Sequence, residues 1–345
     1  MRVVRSNKMI LRKRKGKAVA VILAVIIFLY VIISFMPTPE SYEGDNPLIN
    51  RGDMPVLIAH RGGRGEFPQN TLEAFYNAYS VDNNAIMETD VNITKDGVLI
   101  LLHNELLDAT TNVTGYASDW NYTDLISQRV DFGYDNPTEG TVLAGEREHF
   151  NIDGVNVYPT DVDYPDGVEP RDDEIFLATT FEELLSAFPD NIISVEIKQS
   201  GDIGIRAAEE ALRLVRKYNA FDRVIFACFH SEVSRQLKKW HKDGTPLMYS
   251  PDIIGIVKYY ALYSLRLDSL YIDPVAVFQL PMEKLGFNFA TEGLIECAHK
   301  HNSAVQYWTI NDEAEMQRLI ELGVDGIMTD YPGRLKEVYN KVNNN

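Results

Sequence analysis

The sequence predicts an α/β fold: a (β/α)8 TIM barrel with an insertion, preceded by one N-terminal transmembrane helix. Three observations predict it. Short β-branched runs alternate with amphipathic stretches over about 290 residues, enough for the eight units, or about 250 residues, that close such a barrel. No glycine-rich G-x-G-x-x-G or Walker loop follows the first strand, which weighs against a doubly wound open sheet. Ahead of the alternation lies a run of 19 residues, 18–36, without a charge.

The elements follow in order. Residues 1–17 form a basic segment, and positions 1–36 hold eight Lys or Arg and no acid. The apolar run AVAVILAVIIFLYVIISFM would span roughly 28 Å as a helix, close to a hydrocarbon core of about 30 Å. The basic cluster just before it sets the N-terminus in the cytoplasm and everything from Pro37 outside. Phe35-Met36-Pro37-Thr38-Pro39 lacks a small-x-small cleavage site, so the helix reads as a retained anchor. Residues 37–54 read as a polar stalk.

The barrel then occupies 55–345. Strands are expected at 56–60, 85–91, 98–103, 192–198, 224–230, 246–249, 269–272, 304–309 and 326–329. Helices are expected at 71–79, 181–188, 203–218, 232–241, 253–265, 291–301 and 313–322. In the third helix Ala207, Ala208, Ala211, Leu212 and Val215 recur at helical spacing with charges between them. The acidic stretch 131–174, rich in Gly, Pro, Asn and Tyr, reads as an insertion over one end of the barrel.

Composition excludes several function classes. Net charge is −17, and outside the first 36 residues 25 basic face 50 acidic residues. Such a body repels phosphate backbones, so no nucleic acid is expected as partner. Cys228 and Cys297 alone cannot make a disulfide-stapled scaffold or a Cys-rich zinc module, and both read as buried thiols.

Chemistry collects where a (β/α)8 barrel carries its active site, at the C-terminal ends of the strands. The first strand ends in His60-Arg61-Gly62-Gly63. The next carries Glu88-Thr89-Asp90, a short strand ends in His103, and another carries Glu196-Ile197-Lys198. Later strand ends supply His230, Asp273, Trp308 and Asp330. Residues i and i+2 share a strand face, so Glu88 and Asp90 project together, as do Glu196 and Lys198. Three carboxylates in one mouth repel unless a hard cation binds them, so one divalent cation, Ca2+ or Mg2+, is expected on Glu88, Asp90 and Glu196. His60 and His103 suit acid–base work, and Arg61 and Lys198 suit phosphate oxygens. Taken singly, each has a bland reading: a lone His at a strand end is usually a structural hydrogen-bonder, and Trp308 alone is core. The combination at successive strand ends is what packing does not explain.

The run Ala59-His60-Arg61-Gly62-Gly63, then Pro68-Gln69-Asn70-Thr71, Glu88-Thr89-Asp90, Asp96-Gly97, His103, Glu196-Ile197-Lys198 and Asp325 to Pro332 resembles the glycerophosphodiester phosphodiesterase family. The resemblance implies a TIM barrel that hydrolyses glycerophosphodiesters to glycerol 3-phosphate and an alcohol. It implies His60 and His103 as the acid–base pair, Glu88, Asp90 and Glu196 as metal ligands, and Arg61 and Lys198 on the phosphate, with Trp308 at the glycerol end. It also implies attack on phosphorus by the substrate's own glycerol hydroxyl, through a cyclic phosphate that water opens. The chain departs from the family at Gln69, where Glu is usual, and at Asn104, where Asp is usual; each change removes a negative charge. The tether brings lysophospholipids into view as alternative substrates. The two departures keep open a catalytically inactive barrel that binds polyol phosphates.

Overall fold

The computed structural model describes residues 2–50, 52–135 and 147–344, with side chains from Lys17 onward except Ala18. Helix α1 (Arg2–Ser34) comes first. Eight parallel strands follow: β1 (Val56–Ala59), β2 (Ile86–Ile93), β3 (Ile193–Ile197), β4 (Val224–Ala227), β5 (Met248–Tyr249), β6 (Val277–Leu280), β7 (Ala304–Tyr307) and β8 (Gly326–Thr329). Their order, β5-β4-β3-β2-β1-β8-β7-β6, is that of an opened barrel. A bond from Ala276 N to Tyr249 O, 3.1 Å, bridges the seam. The expected (β/α)8 barrel is therefore present and nearly closed. Its strands are almost continuously buried because both faces are covered, and the polar residues of β2 and β3 collect toward the mouth.

The covering helices are α2 (Leu72–Val81), α4 (Phe181–Ala187), α5 (Gly201–Lys217), α6 (Ser231–Lys242), α7 (Ile253–Ser264), α8 (Glu292–Lys300), α9 (Glu313–Glu321) and α10 (Pro332–Asn343); a short α3 (Tyr122–Ser127) lies in the insertion. Side-chain caps start several of them. Thr71, Thr180, Asp252, Thr291 and Asp312 each accept from a backbone N–H in the first turn.

Several expectations shift. The stretch 98–103 shortens to Leu99–Leu101, which pairs antiparallel with β2 outside the barrel. No strand forms at 269–272, where Asp268–Leu270 is a 3₁₀ turn, and the barrel strand is β6 instead. Gln279 hides it in sequence by breaking the apolar run; inside the barrel it donates to Ser194 Oγ and Gln306 Oε1 at 3.0 and 3.2 Å. Asp273 therefore precedes β6 at the floor of the barrel, paired with Lys258 at 3.0 Å, and not at the mouth. Helix α10, opened by Pro332, was not anticipated.

The insertion is larger than 131–174. Between Leu101 and β3 the chain builds its own small core, including Leu102, Leu107, Leu125, Phe132, Phe150 and Phe176. Positions 136–146 of the expected insertion lie outside the described residues.

Residues 37–54 are not a free stalk. Ser41 N and Tyr42 N both donate to His301 O, and Asn46 Nδ2 donates to Ala276 O and Asn302 O. Leu48, 3% exposed, packs on Ile225, Met248, Ala276, Val277 and Ala304, at the starts of four strands. Residues 41–50 thus form the barrel floor, with Leu48 as its buried plug and Tyr42 and Ile49 packed against the same cluster.

Among the described residues, no helix is long and apolar enough to cross a membrane. α1 ends at Ser34, two residues before the expected end of the anchor. The side chains of 1–16 and of Ala18, on which the basic segment and the anchor's first residue fall, lie outside the described residues. The large apolar side chains between Val19 and Ile32 are exposed, Phe28 to 63%.

Candidate active site

The site begins with a tight turn at the end of β1. Arg61 adopts a left-handed backbone (φ 52°), and Gly62 and Gly63 follow at φ 82° and 95°. A Cβ on Gly62 would stand 2.8 Å from Ala74 Cβ, so only glycine lets the turn sit on α2. The turn reverses the chain and leaves His60 and Arg61 facing the mouth.

Register does the rest. Asp90 of β2 pairs with Glu196 of β3, and Glu88 lies two residues back on the same face. Glu88, Asp90 and Glu196 each offer an oxygen within 4.8 Å of the others. Leu102 N donates to Asp90 O at 2.9 Å, which carries His103 to the same rim. A cavity of about 280 Å3 is lined by all eight residues expected there: His60, Arg61, Glu88, Asp90, His103, Glu196, Lys198 and Trp308. His230 stays at the edge, its Nε2 2.9 Å from Lys198 O.

The carboxylates are interleaved with cations. Lys198 Nζ is 3.0 Å from Glu196 Oε1 and 3.5 Å from Asp90 Oδ1. Arg61 N donates to Glu88 Oε2 at 2.9 Å, and its Nη1 donates to Gln69 Oε1 at 2.8 Å. Arg61 Nε lies 3.2 Å from Asp90 Oδ2, yet its N–H finds no aligned acceptor. Burial pushes the Glu88 carboxyl well above its ordinary range, and the Asp90 charge adds to this. Glu196 is raised mainly by burial. Burial also works against ionising Asp90, but Arg61 and Lys198 outweigh it and hold that group below its usual range. Three crowded carboxylates, two of them reluctant to ionise, fit a hard divalent cation. Arg61 and Lys198 both line the cavity, and their charge suits an anion's oxygens.

The two histidines have different partners. His60 Nδ1 is 2.6 Å from Asp330 Oδ1, and Asn311 Nδ2 donates to Asp330 Oδ2 at 2.8 Å. His103 Nδ1 is 2.8 Å from the amide oxygen of Asn104. Burial lowers both histidines, His103 to about 4, while the Asp330 hydrogen bond opposes the shift at His60. At the rim Trp308 meets Phe229 edge-on, centroids 6.1 Å apart.

Sequence reasoning left several of these partners without a role. Asp330 stood out only as a strand-end acid. Asn70 donates to Asp90 Oδ2 at 3.2 Å and accepts from Thr89 Oγ1 at 2.8 Å; only its place in the Pro68-Gln69-Asn70-Thr71 stretch singled it out. Nothing in the sequence marked Asn311.

Comparison with known proteins gives the fold and the family. The chain is 29% identical over 289 residues to a glycerophosphodiester phosphodiesterase of Caldanaerobacter subterraneus, covering 83% of this chain and 98% of that protein. It is 26% identical to the lysophospholipase D GDPD1 of Rattus norvegicus, covering 83% and 86%. Among solved structures, a glycerophosphoryl diester phosphodiesterase assigned in Silicibacter pomeroyi superimposes with a TM-score of 0.60 at 21% identity, over 86% and 96% of the two chains. An Oleispira antarctica phosphodiesterase in complex with the product sn-glycerol-3-phosphate gives 0.57 at 17%, over 83% and 97%. Residues 60–334 match the Glycerophosphoryl diester phosphodiesterase family throughout, and the chain belongs to that family of phosphodiester-cleaving enzymes.

Proposed function

We propose that the chain hydrolyses glycerophosphodiesters to glycerol 3-phosphate and an alcohol, with His60 and His103 as acid and base and a divalent cation on Glu88, Asp90 and Glu196. The observation that carries this reading is the convergence of two histidines, three carboxylates and two cations on one cavity of about 280 Å3. The cation, Ca2+ or Mg2+, would supply charge stabilisation to the phosphoryl oxygens when bound. Arg61 and Lys198, both lining the cavity, hold the same oxygens from the other side. Trp308 walls the glycerol end.

The partners of the histidines divide their roles. Carboxylate favours the protonated ring, so His60, backed by Asp330, gives a proton to the leaving alcohol. His103, neutral and tied at Nδ1 to Asn104, presents Nε2 to the attacking glycerol hydroxyl and takes its proton. The roles reverse when water opens the cyclic phosphate.

Gln69 accepts from Arg61 Nη1 and Asn104 lies 2.8 Å from His103 Nδ1, so both positions still partner groups of the site. That favours turnover over a binding-only barrel. A lysophospholipase D-like activity is the second reading, supported by the name of the rat relative. For location, α1 serves as the anchor, with the N-terminus cytoplasmic and the barrel extracytoplasmic; the uncharged run 18–36 behind a basic cluster supports it.

The test is glycerol 3-phosphate release from glycerophosphocholine by the full chain, with chelator and then with Ca2+ or Mg2+. Release is expected only with metal, and His60→Ala should lower it by about 10²–10⁴-fold without loss of fold. Binding of the diester with no release under either metal would replace the enzymatic reading with the binding one.

A further inference from the structure

We propose that one flank of the barrel, the outer face of α7 together with the hairpin at 283–288, is a lipid-contact surface that lays the barrel sideways on the bilayer and brings its mouth to the membrane edge. The inference rests on the reading of α1 as an anchor and adds an orientation to it.

A helix covering a barrel normally buries one face and offers charge on the other. α5 does so, with Arg206, Glu209, Glu210, Arg213, Arg216 and Lys217 set against a buried alanine-rich stripe. α7 does not. Its inner side buries Gly255 and Tyr259, yet its outer side carries Ile253, Ile254 and Val257, each more than half exposed, and Leu265 follows. The single outward cation, Lys258, is neutralised by Asp273.

The neighbouring hairpin repeats the anomaly. Glu283–Lys284 pairs with Phe287–Asn288 around a Leu285-Gly286 turn. Leu285 has a left-handed backbone (φ 53°) and is 90% exposed. Such tips favour Asn or Asp, so a leucine here sits in an unfavourable backbone and in water at once. Phe287, half exposed, meets Tyr260 of α7 edge-on at 5.5 Å, which joins hairpin and helix into one patch. Contiguous exposed apolar patches mark contact sites, whereas scattered residues do not.

The occupant follows from where α1 ends. Tyr30 Oη donates to Leu265 O at 3.1 Å, Ser269 Oγ donates to Ile33 O at 3.1 Å, and Thr38 Oγ1 donates to Asp268 Oδ2 at 2.6 Å. The apolar helix therefore meets the barrel at the C-terminal end of α7, where Leu265, Leu270 and Ile272 are also exposed. A lipid phase that takes up α1 is thus about 18 Å, the length of a 12-residue helix, from the other end of α7. That other end is the active-site mouth: Ser250 and Pro251 line the cavity, and Asp252 caps α7 directly after them. Tyr260 and Phe287 suit the interfacial layer, where amphipathic and aromatic side chains settle. A substrate whose tail stays in the bilayer would reach the site without leaving it.

The test uses the full chain in phosphatidylcholine vesicles containing brominated lipid. Cys228 and Cys297 are buried, so one introduced cysteine accepts a fluorescent label. Leu285→Cys and Ile254→Cys report on the patch, and Ser80→Cys, exposed on α2 beneath the first strand, reports on the opposite flank. The labels at 285 and 254 should lose about half of their fluorescence to brominated lipid, and the label at 80 almost none. Equal quenching at 285, 254 and 80 in chains that cosediment with vesicles overturns the docking and leaves the anchor standing. Chains that do not cosediment overturn both. A dimer in detergent with the 285 label shielded overturns the lipid assignment in favour of a second copy.

Discussion

His60 and His103 illustrate how much one partner atom decides. Both rings are largely buried and both lose basicity for that reason, but only His60 is hydrogen-bonded to a carboxylate, whereas the Asp90 charge acts on His103 without a bond. Asp330→Asn should lower glycerol 3-phosphate release by about 10–100-fold, the usual cost of losing a histidine's orienting partner. The sign of the pH effect is also fixed. Asp330 raises the His60 pKa, so its removal lowers it, the proton needed on the leaving group is lost sooner, and the alkaline limb of the rate profile moves to lower pH. An unshifted limb in kcat against pH would assign Asp330 a purely structural part. At this scale the sequence was informative where chemistry is local. The spacing of two in Glu88/Asp90 and Glu196/Lys198 was enough to place four side chains on one face. It was silent where the partner is distant, as for Asn311 on Asp330, because no local rule joins separate loops.

Elements were legible in proportion to their periodicity. Helices α5 to α9 appear within about two residues of their expected ends, since amphipathic spacing and caps leave little freedom. β6 was displaced because Gln279 makes a polar interruption that only the barrel interior satisfies. The floor segment was hidden for the opposite reason: the short apolar step Pro47-Leu48-Ile49 within a polar, proline-containing stretch carries no periodicity. Leu48→Ala should nevertheless destabilise the chain by about 2–5 kcal/mol, as for other fully buried leucines. Urea denaturation would show this as a lower midpoint with an unchanged slope. A midpoint within error of the unsubstituted chain would mean that the floor closes without it.

At the scale of the molecule, Asp325 links three parts. Its oxygens accept from Asn50 N, Val305 N and His299 Nε2 at 2.7, 2.7 and 2.8 Å, tying the floor, β7 and the end of α8 together. The Asp325 hydrogen bond raises the His299 pKa above 6.5, with burial opposing. A raised folded value means the stabilisation is full below the unfolded pKa and fades as pH rises through the folded one. The Tm difference between the unsubstituted chain and His299→Gln should therefore be largest near about pH 5.5 and shrink by about pH 8.5. A constant difference would show that the pair acts through its neutral form. The barrel itself was readable from alternation alone, whereas the second core between Leu101 and β3 was not, because its residues come from loops with no repeat.

The floor formed by residues 41–50 also gives the molecule a direction for release. A protease cutting before Ser41 frees a sealed barrel that keeps its plug. A cut between Asn50 and Val56 leaves Leu48 behind on the α1 side and frees a barrel open at the bottom. Shedding from the anchor and loss of stability are thus one event or two, depending on which side of ten residues the chain is cleaved.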